Sequence, residues 1–332
     1  MSQIAQAQQK RRSNELREMA RAAIKDAARS LRFDANETVF LTRQLEHIES
    51  KLYEIKYPTL KARDLVPKIG GVPSGAEVYT YREYDARGVA KIIADYGDDL
   101  PRADVVAQET TISIKGVGSS YGYSIQEMRA AQMAGIPLDS SKAASARRQI
   151  EEQIDKCLSF GSAAHGMKGL LNQSGTGVYV VPNGGLGSPL WVNKTPDEIL
   201  KDLNGIVNSV PGVTNGVEYV DTLCLPIEQH ALIASTARSA NSDTTILEYF
   251  LKNNPWIKEV VPWYRCKTAG AGGVTRAVAF RRDSEALGAL VPQEFEQLPV
   301  QPDNLTFKVP CHARCGGVVL RLPLTVVYAD NI

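Results

Sequence analysis

Helices and strands follow one another without any repeat, and the strands come from segments far apart in the chain, so the sequence predicts an α+β fold. Three observations carry that prediction. Apolar residues recur at helical spacing over residues 12–32 and 141–160. β-favouring runs lie at Val78–Tyr84, Val217–Leu225 and Arg276–Phe280, and extended segments broken by Pro310, Gly316-Gly317 and Pro323 close the chain from Leu305 to Ile332. No internal repeat or low-complexity tract points to a solenoid or a disordered chain.

Length and charge narrow the function. The 332 residues, 43% hydrophobic and 23% charged, suffice for one large soluble domain or two modest ones. A net charge of +1 gives no global field for nucleic acid or membrane. Residues 1–32 are the exception: eight basic side chains (Lys10, Arg11, Arg12, Arg17, Arg21, Lys25, Arg29, Arg32) face three acidic ones (Glu15, Glu18, Asp26). That sets +5 there against −4 in the remainder. No stretch is apolar enough to span a membrane, and the polar N-terminus does not resemble a signal peptide. Five cysteines at irregular spacing predict free thiols in a reducing cytoplasm.

Taken in order, Leu16, Met19, Ala20, Ala23, Ile24, Ala27 and Leu31 predict an amphipathic helix over about 12–32. Phe33-Asp-Ala-Asn breaks it, and Leu41, Leu45, Ile48, Leu52 and Ile55 mark a second, ended by Tyr57-Pro58. The most telling stretch is Ala76–Arg129. A strand over Val78–Tyr84 is expected to turn at Asp85-Ala-Arg-Gly88, with Val89–Ile93 running back. A charged tract follows over Asp95–Asp104, then a strand over Thr110–Ile114. A hairpin of this length reaches about 40–50 Å. It has too few large aliphatics to bury both faces within its own subunit, which suits an arm lying on another copy.

Beyond it, Asp139 or Ser140 can cap a long helix over Ser141–Phe160, with Ile150, Ile154, Cys157 and Leu158 inward. Thr195 caps a helix running to Val210, with Pro196 in its first position. Helices over Pro226–Thr236 and Asp243–Leu251 and a strand over Ile257–Val261 complete the middle of the chain.

Three constellations invite a chemical reading. Gly118-Ser-Ser120-Tyr-Gly122 matches the nucleophile-elbow pattern, with Asp221 and His230 or His312 following in triad order. The elbow requires a helix at once, however, whereas Tyr121–Ile125 reads as continuing strand, so the serine hydrolase reading is the lesser one. Gly161–Lys168 fails as a phosphate loop because Met167 stands where lysine is needed. Cys311 and Cys315 would share one strand face about 13 Å apart, too far to chelate one ion. No metal or cofactor is expected.

The order of these features resembles the major capsid protein of tailed bacteriophages, the Hong Kong 97-type fold. The residues that carry the resemblance are Gly97-Asp-Asp-Leu-Pro101-Arg-Ala-Asp104, Thr110–Ile114, Tyr123-Ser-Ile-Gln-Glu-Met-Arg129, the long helix, and the Gly169-Leu-Leu-Asn172 corner. Leu45-Glu-His-Ile, Tyr53–Pro58, Thr244–Tyr249, Phe295–Pro299 and Pro310–Gly317 are similar to a phage and prophage subgroup.

The resemblance implies an N-terminal helical arm over 1–58, a lead-in to the peripheral domain over 59–76 and an extended hairpin (E-loop) over 77–109. It implies a peripheral domain over 110–177 with a spine helix at about 140–161, and an axial domain over 178–299. Strands over 300–332 would return to the peripheral domain. The implied function is structural: copies self-assemble as hexamers and pentamers into an icosahedral head in the virion, built in the host cytoplasm. Double-stranded DNA would lie non-specifically on the inner surface, with portal, scaffold or decoration proteins as further partners. A cellular cargo shell, an encapsulin, is the alternative of the same fold. Expected intersubunit contacts are Tyr79, Tyr81, Arg82, Glu83, Tyr84, Arg87, Lys91, Asp98, Asp99 and Arg102. Expected lumen- or DNA-facing residues are Arg11, Arg12, Arg17, Arg21, Lys25 and Arg29.

Overall fold

A computed structural model describes residues 14–23, 25, 57–88, 102, 104–135, 138–239 and 243–332. The chain divides into two units, Met1–Pro58 and Thr59–Ile332. In the first, residues 14–23 form helix α1, as their spacing predicts. Leu16, expected to pack on protein, is 60% exposed in the single subunit. The second predicted helix, from Leu41 to Ile55, lies outside the described residues.

The second unit opens with α2 (Ala62–Leu65) and then a hairpin of β1 (Val78–Arg87) and β2 (Asp104–Ser113). The two strands pair antiparallel rung for rung, from Val78 opposite Ser113 to Arg87 opposite Asp104. This corrects the expected turn at Asp85–Gly88. The strand continues through Asp85 and Ala86, because ten cross-strand rungs outweigh the local turn preference of an Asp-Ala-Arg-Gly tetrapeptide.

β3 (Lys115–Ser124) leads into α3 (Ile125–Ala134), whose N-terminus is fixed by a capping box between Ser124 and Glu127. α4 (Leu138–Phe160), the long helix expected as the spine, starts a little before the expected Asp139 or Ser140 cap. Its 23 residues reach roughly 35 Å. Ala146, Ile150, Ile154, Cys157 and Leu158 form its buried stripe. On its flanks Glu151 pairs with Arg63, and Arg147 lies over the Phe295 ring. Gly161 ends it with φ of +66°, and a side chain there would collide with the Met167 carbonyl, so glycine is required.

After β4 (Gly177–Val180), helix α5 (Pro196–Val213) begins with a Thr195–Glu198 capping box. β5 (Thr222–Leu225), α6 (Ile227–Ser235), α7 (Ile246–Asn253), β6 (Glu259–Pro262) and β7 (Arg276–Phe280) follow. The chain closes with β8 (Leu287–Leu290), β9 (Gln293–Gln297), β10 (Gln301–Asp303), β11 (Thr306–Cys315), β12 (Gly317–Leu320) and β13 (Val326–Asp330).

Two sheets organise the unit. β11 pairs with β3 along its whole length and with β9 and β10 on its other edge. Its Val309, Cys311, Ala313 and Cys315 point inward in strict alternation towards α4. The larger sheet runs β4-β13-β7-β5-β6. β13 sits between β4 and β7, because its unbroken apolar run needs cover on both faces.

The larger sheet is a wall shared by two cores. Cys224, Val278, Phe280, Val326 and Tyr328 face the core of the spine helix. Leu223, Leu225, Ala277, Ala279, Val327 and Ala329 face the core that holds α5 and α7.

Candidate functional site

The β1–β2 hairpin has two unlike faces, because side chains alternate along each strand. Tyr79 and Tyr81 point inward. They pack with Ile112 beside Ile114, Leu290 and Val319, in a small core at the hairpin root. Tyr81 donates its hydroxyl to the Leu320 carbonyl at 3.0 Å, and Arg321 donates to the Tyr79 hydroxyl at 3.1 Å. Burial pushes the Tyr81 hydroxyl above its ordinary pKa. Both tyrosines, expected as intersubunit contacts, thus spend their hydroxyls inside their own subunit.

The opposite face is open. Val78, Tyr84 and Val105 are 51%, 69% and 61% exposed, with the Arg82–Glu109 ion pair at 2.7 Å between them. Farther out Val106, on the inner face, is 44% exposed as well, so past the rung of Glu83 and Gln108 neither face is covered. A cleft of about 410 Å³ lies beneath that rung, lined by Glu83, Gln108, Thr110, Lys168, Gln173 and Ser174 among others. Arg87 stands opposite Asp104, and Arg102 is exposed. Lys91, Asp98 and Asp99 lie outside the described residues. Sequence reasoning missed Val78, and it missed Val105 and Val106, whose adjacency hides the alternation that would have revealed a two-faced strand.

The triad candidates do not converge into the elbow geometry. Ser120 is an exposed residue of β3 paired with Pro310, and the next helix starts only at Ile125. Asp221 accepts the Arg282 backbone N–H at 2.7 Å and pairs with Lys258 at 2.9 Å. His312 lies opposite Gly118 and 3.9 Å from Glu296. Cys311 and Cys315 are buried on one face of β11. Among the described residues no group of three or more His, Cys, Asp or Glu gathers as a metal site, and no helix is long and apolar enough to cross a membrane. Arg17, Arg21 and Lys25 are exposed; Arg11, Arg12 and Arg29 lie outside the described residues.

A family model described as Major capsid protein matches residues 88–332. The chain belongs to the major capsid protein family. Solved structures agree on the fold. The capsid of Myoviridae Phage XM1 is 15% identical with a TM-score of 0.79, over 90% of this chain and all of that one. The Mycobacterium phage Bobi structure is 14% identical with a TM-score of 0.59, over 86% of this chain and 94% of that one. A virus-like particle from Pyrococcus furiosus is 13% identical with a TM-score of 0.52, over 80% and 90% of the two chains. No curated protein sequence matches.

The fold is accordingly the Hong Kong 97-type capsid fold, and the major capsid protein is a structural subunit that self-assembles into the phage capsid. The encapsulin reading is the weaker one, since the family match is to major capsid proteins.

Proposed function

We propose that this major capsid protein forms hexameric and pentameric rings in which the outer part of each hairpin lies on the adjacent subunit, closing an icosahedral head around double-stranded DNA. The observation that carries this is the hairpin past Glu83 and Gln108. It exposes Tyr84, Val105 and Val106 with no cover from its own subunit. An apolar two-stranded ribbon left in water invites aggregation unless another chain covers it. In a ring the contact is heterologous, so this patch meets a different one on the neighbour and the rotation closes.

The exposed Arg17, Arg21 and Lys25 on α1 suit a lumenal surface that neutralises DNA phosphates. Portal, scaffold and decoration proteins complete the partners of such a head, which is built in the host cytoplasm. The axial role goes to α5–α7 with their flanking strands, the peripheral role to α4, β3 and β11. No catalytic step is assigned, since Ser120 lies on a regular strand rather than a strained turn.

Electron microscopy of purified Tyr84→Glu/Val105→Glu tests the hairpin. Wild-type protein should form shells, whereas the charged variant should remain as folded, unassembled subunits. Shells from the variant equal in yield and size to wild type would sink the proposal.

A further inference from the structure

The sheet that joins the two cores ends on one side in an open strand. β4 (Gly177–Val180) pairs in parallel with β13 and with no other strand, so it is an edge of the order β4-β13-β7-β5-β6. Apart from that ladder, no hydrogen bond among the described residues reaches its backbone. The far edge is partly capped, since the Lys61 ammonium donates to the Pro262 carbonyl of β6 at 2.7 Å. Alternation gives β4 two unlike faces. Tyr179 turns in against α5 and the core there, so close that a side chain on Gly205 would collide with its ring. Val178 and Val180 turn out and are 69% and 82% exposed.

Open edges are normally blunted by charge, above all by lysine. This stretch does the opposite. From Gly169 to Asn193 no Asp, Glu, Lys, Arg or His occurs, a run of 25 residues in a chain that is 23% charged, and β4 lies within it. Exposed valines without such gatekeepers suit an edge that another strand covers.

We propose that β4 is the receiving edge for the hairpin of an adjacent copy, which adds its strand β2 to the five-stranded sheet. This rests on the proposed placement of the outer hairpin on a neighbour and adds where it lies. β2 brings what the edge lacks. The hairpin is a two-stranded sheet, so the side of β2 away from β1 is an open edge as well. Its outer rungs read Val105-Val106-Ala107-Gln108, uncharged like β4, with Val105 and Val106 61% and 44% exposed. β1 is the poorer match, because Glu83, Asp85 and Arg87 put charge along the same length. Main-chain hydrogen bonds hold a strand added in this way, and its alternate side chains set the register. The surface is continuous with the hairpin root, since Gln173 and Ser174, just before β4, line the cleft beneath it. β2 of one copy against β4 of the next is a heterologous contact, which closes by rotation around a ring.

Paired cysteines test this in assembled shells of the full-length protein. Val178 and Val180 share one face of β4, whereas the neighbours Val105 and Val106 lie on opposite faces of β2. An added strand therefore turns one hairpin valine towards the β4 valines and the other away. Val105→Cys and Val106→Cys are each combined with Val178→Cys or Val180→Cys, and oxidised shells are run on a non-reducing gel. The five native cysteines are buried. One hairpin position should give disulfide-linked oligomers up to the size of the ring, and the other should give monomers. Linkage from both positions alike, from neither, or only within single chains would overturn the proposal.

Val178→Lys/Val180→Lys decides the matter without a matched register. Both side chains face water in the free subunit, so Tm should stay within about 2 °C of wild type while light scattering shows no shells. Shells at wild-type yield would overturn the proposal. If Tyr84→Glu/Val105→Glu still failed to assemble, the broader placement of the hairpin would survive that result. A large fall in Tm would mean that the valines serve their own subunit, which sinks the receiving-edge role as well.

Discussion

At the scale of single residues, buried charges hold the subunit in register. Asp155 of the spine helix is 1% exposed, accepts the Ala62 N–H at 2.9 Å and pairs with Arg265 at 2.7 Å. Replacing it by alanine strands a largely buried guanidinium and an unpaired backbone donor. Urea denaturation of Asp155→Ala should show a loss of about 3–5 kcal/mol; a loss below about 1 kcal/mol would show that water replaces the carboxylate there. Asp330 differs in kind. Burial alone would raise its carboxyl, but Arg276, bonded through Nε and Nη2 at 2.6 and 2.8 Å, outweighs that and holds it below its usual value. A carboxyl lower in the folded than in the unfolded state stabilises above its unfolded value, about 3.9, and loses that contribution as pH falls through its folded value. Wild type should therefore lose stability below about pH 4, and Asp330→Asn should show a shallower acid limb in urea midpoints taken from pH 7 to 2.5. Identical limbs would mean that other carboxylates dominate acid unfolding.

At the scale of elements, the hairpin divides at its fifth or sixth rung. Its root belongs to its own subunit, through Tyr79, Tyr81 and Ile112 against Leu290 and Val319. Its outer rungs touch nothing of that body which would keep Tyr84 or Val105 from water. Cutting it there separates folding from assembly. Replacing residues 84–107 by a two-residue Asn-Gly turn should leave Tm within about 2 °C of the wild-type subunit and abolish shells by light scattering. Tyr81→Ala should do the reverse to folding, costing about 2–4 kcal/mol through lost packing and an orphaned Leu320 carbonyl. A trimmed protein that cannot fold would show that the outer rungs also support the root.

At the scale of the molecule, the five-stranded sheet decides cooperativity. Each of β5, β7 and β13 sends alternate side chains into the spine-helix core and the α5–α7 core, so neither core can open without exposing the other's wall. Unassembled subunits should therefore unfold from Thr59 to Ile332 in one transition, with calorimetric and van't Hoff enthalpies equal. Two resolved peaks would mean that peripheral and axial halves melt separately.

What the sequence determined by itself is what nearest neighbours encode. Thr195-Pro196 with Glu198 set the start of α5, Ile150, Ile154, Cys157 and Leu158 gave the spine helix its buried stripe, and Arg276–Phe280 coincided with β7. Capping and periodicity act within about four residues, so they are legible without a fold. The capsid resemblance was legible for a related reason, since it rests on the order of such local signals. Only the tertiary structure decided how distant segments pair. It carried β1 past Asp85, placed β13 beside β7 and β4, and formed β8, β9 and β10 from a stretch with weak local signals. It also turned Tyr79 and Tyr81 inward and left Tyr84 and Val105 outside. These outcomes depend on which apolar face finds cover, and that cover is supplied by residues far away in the chain.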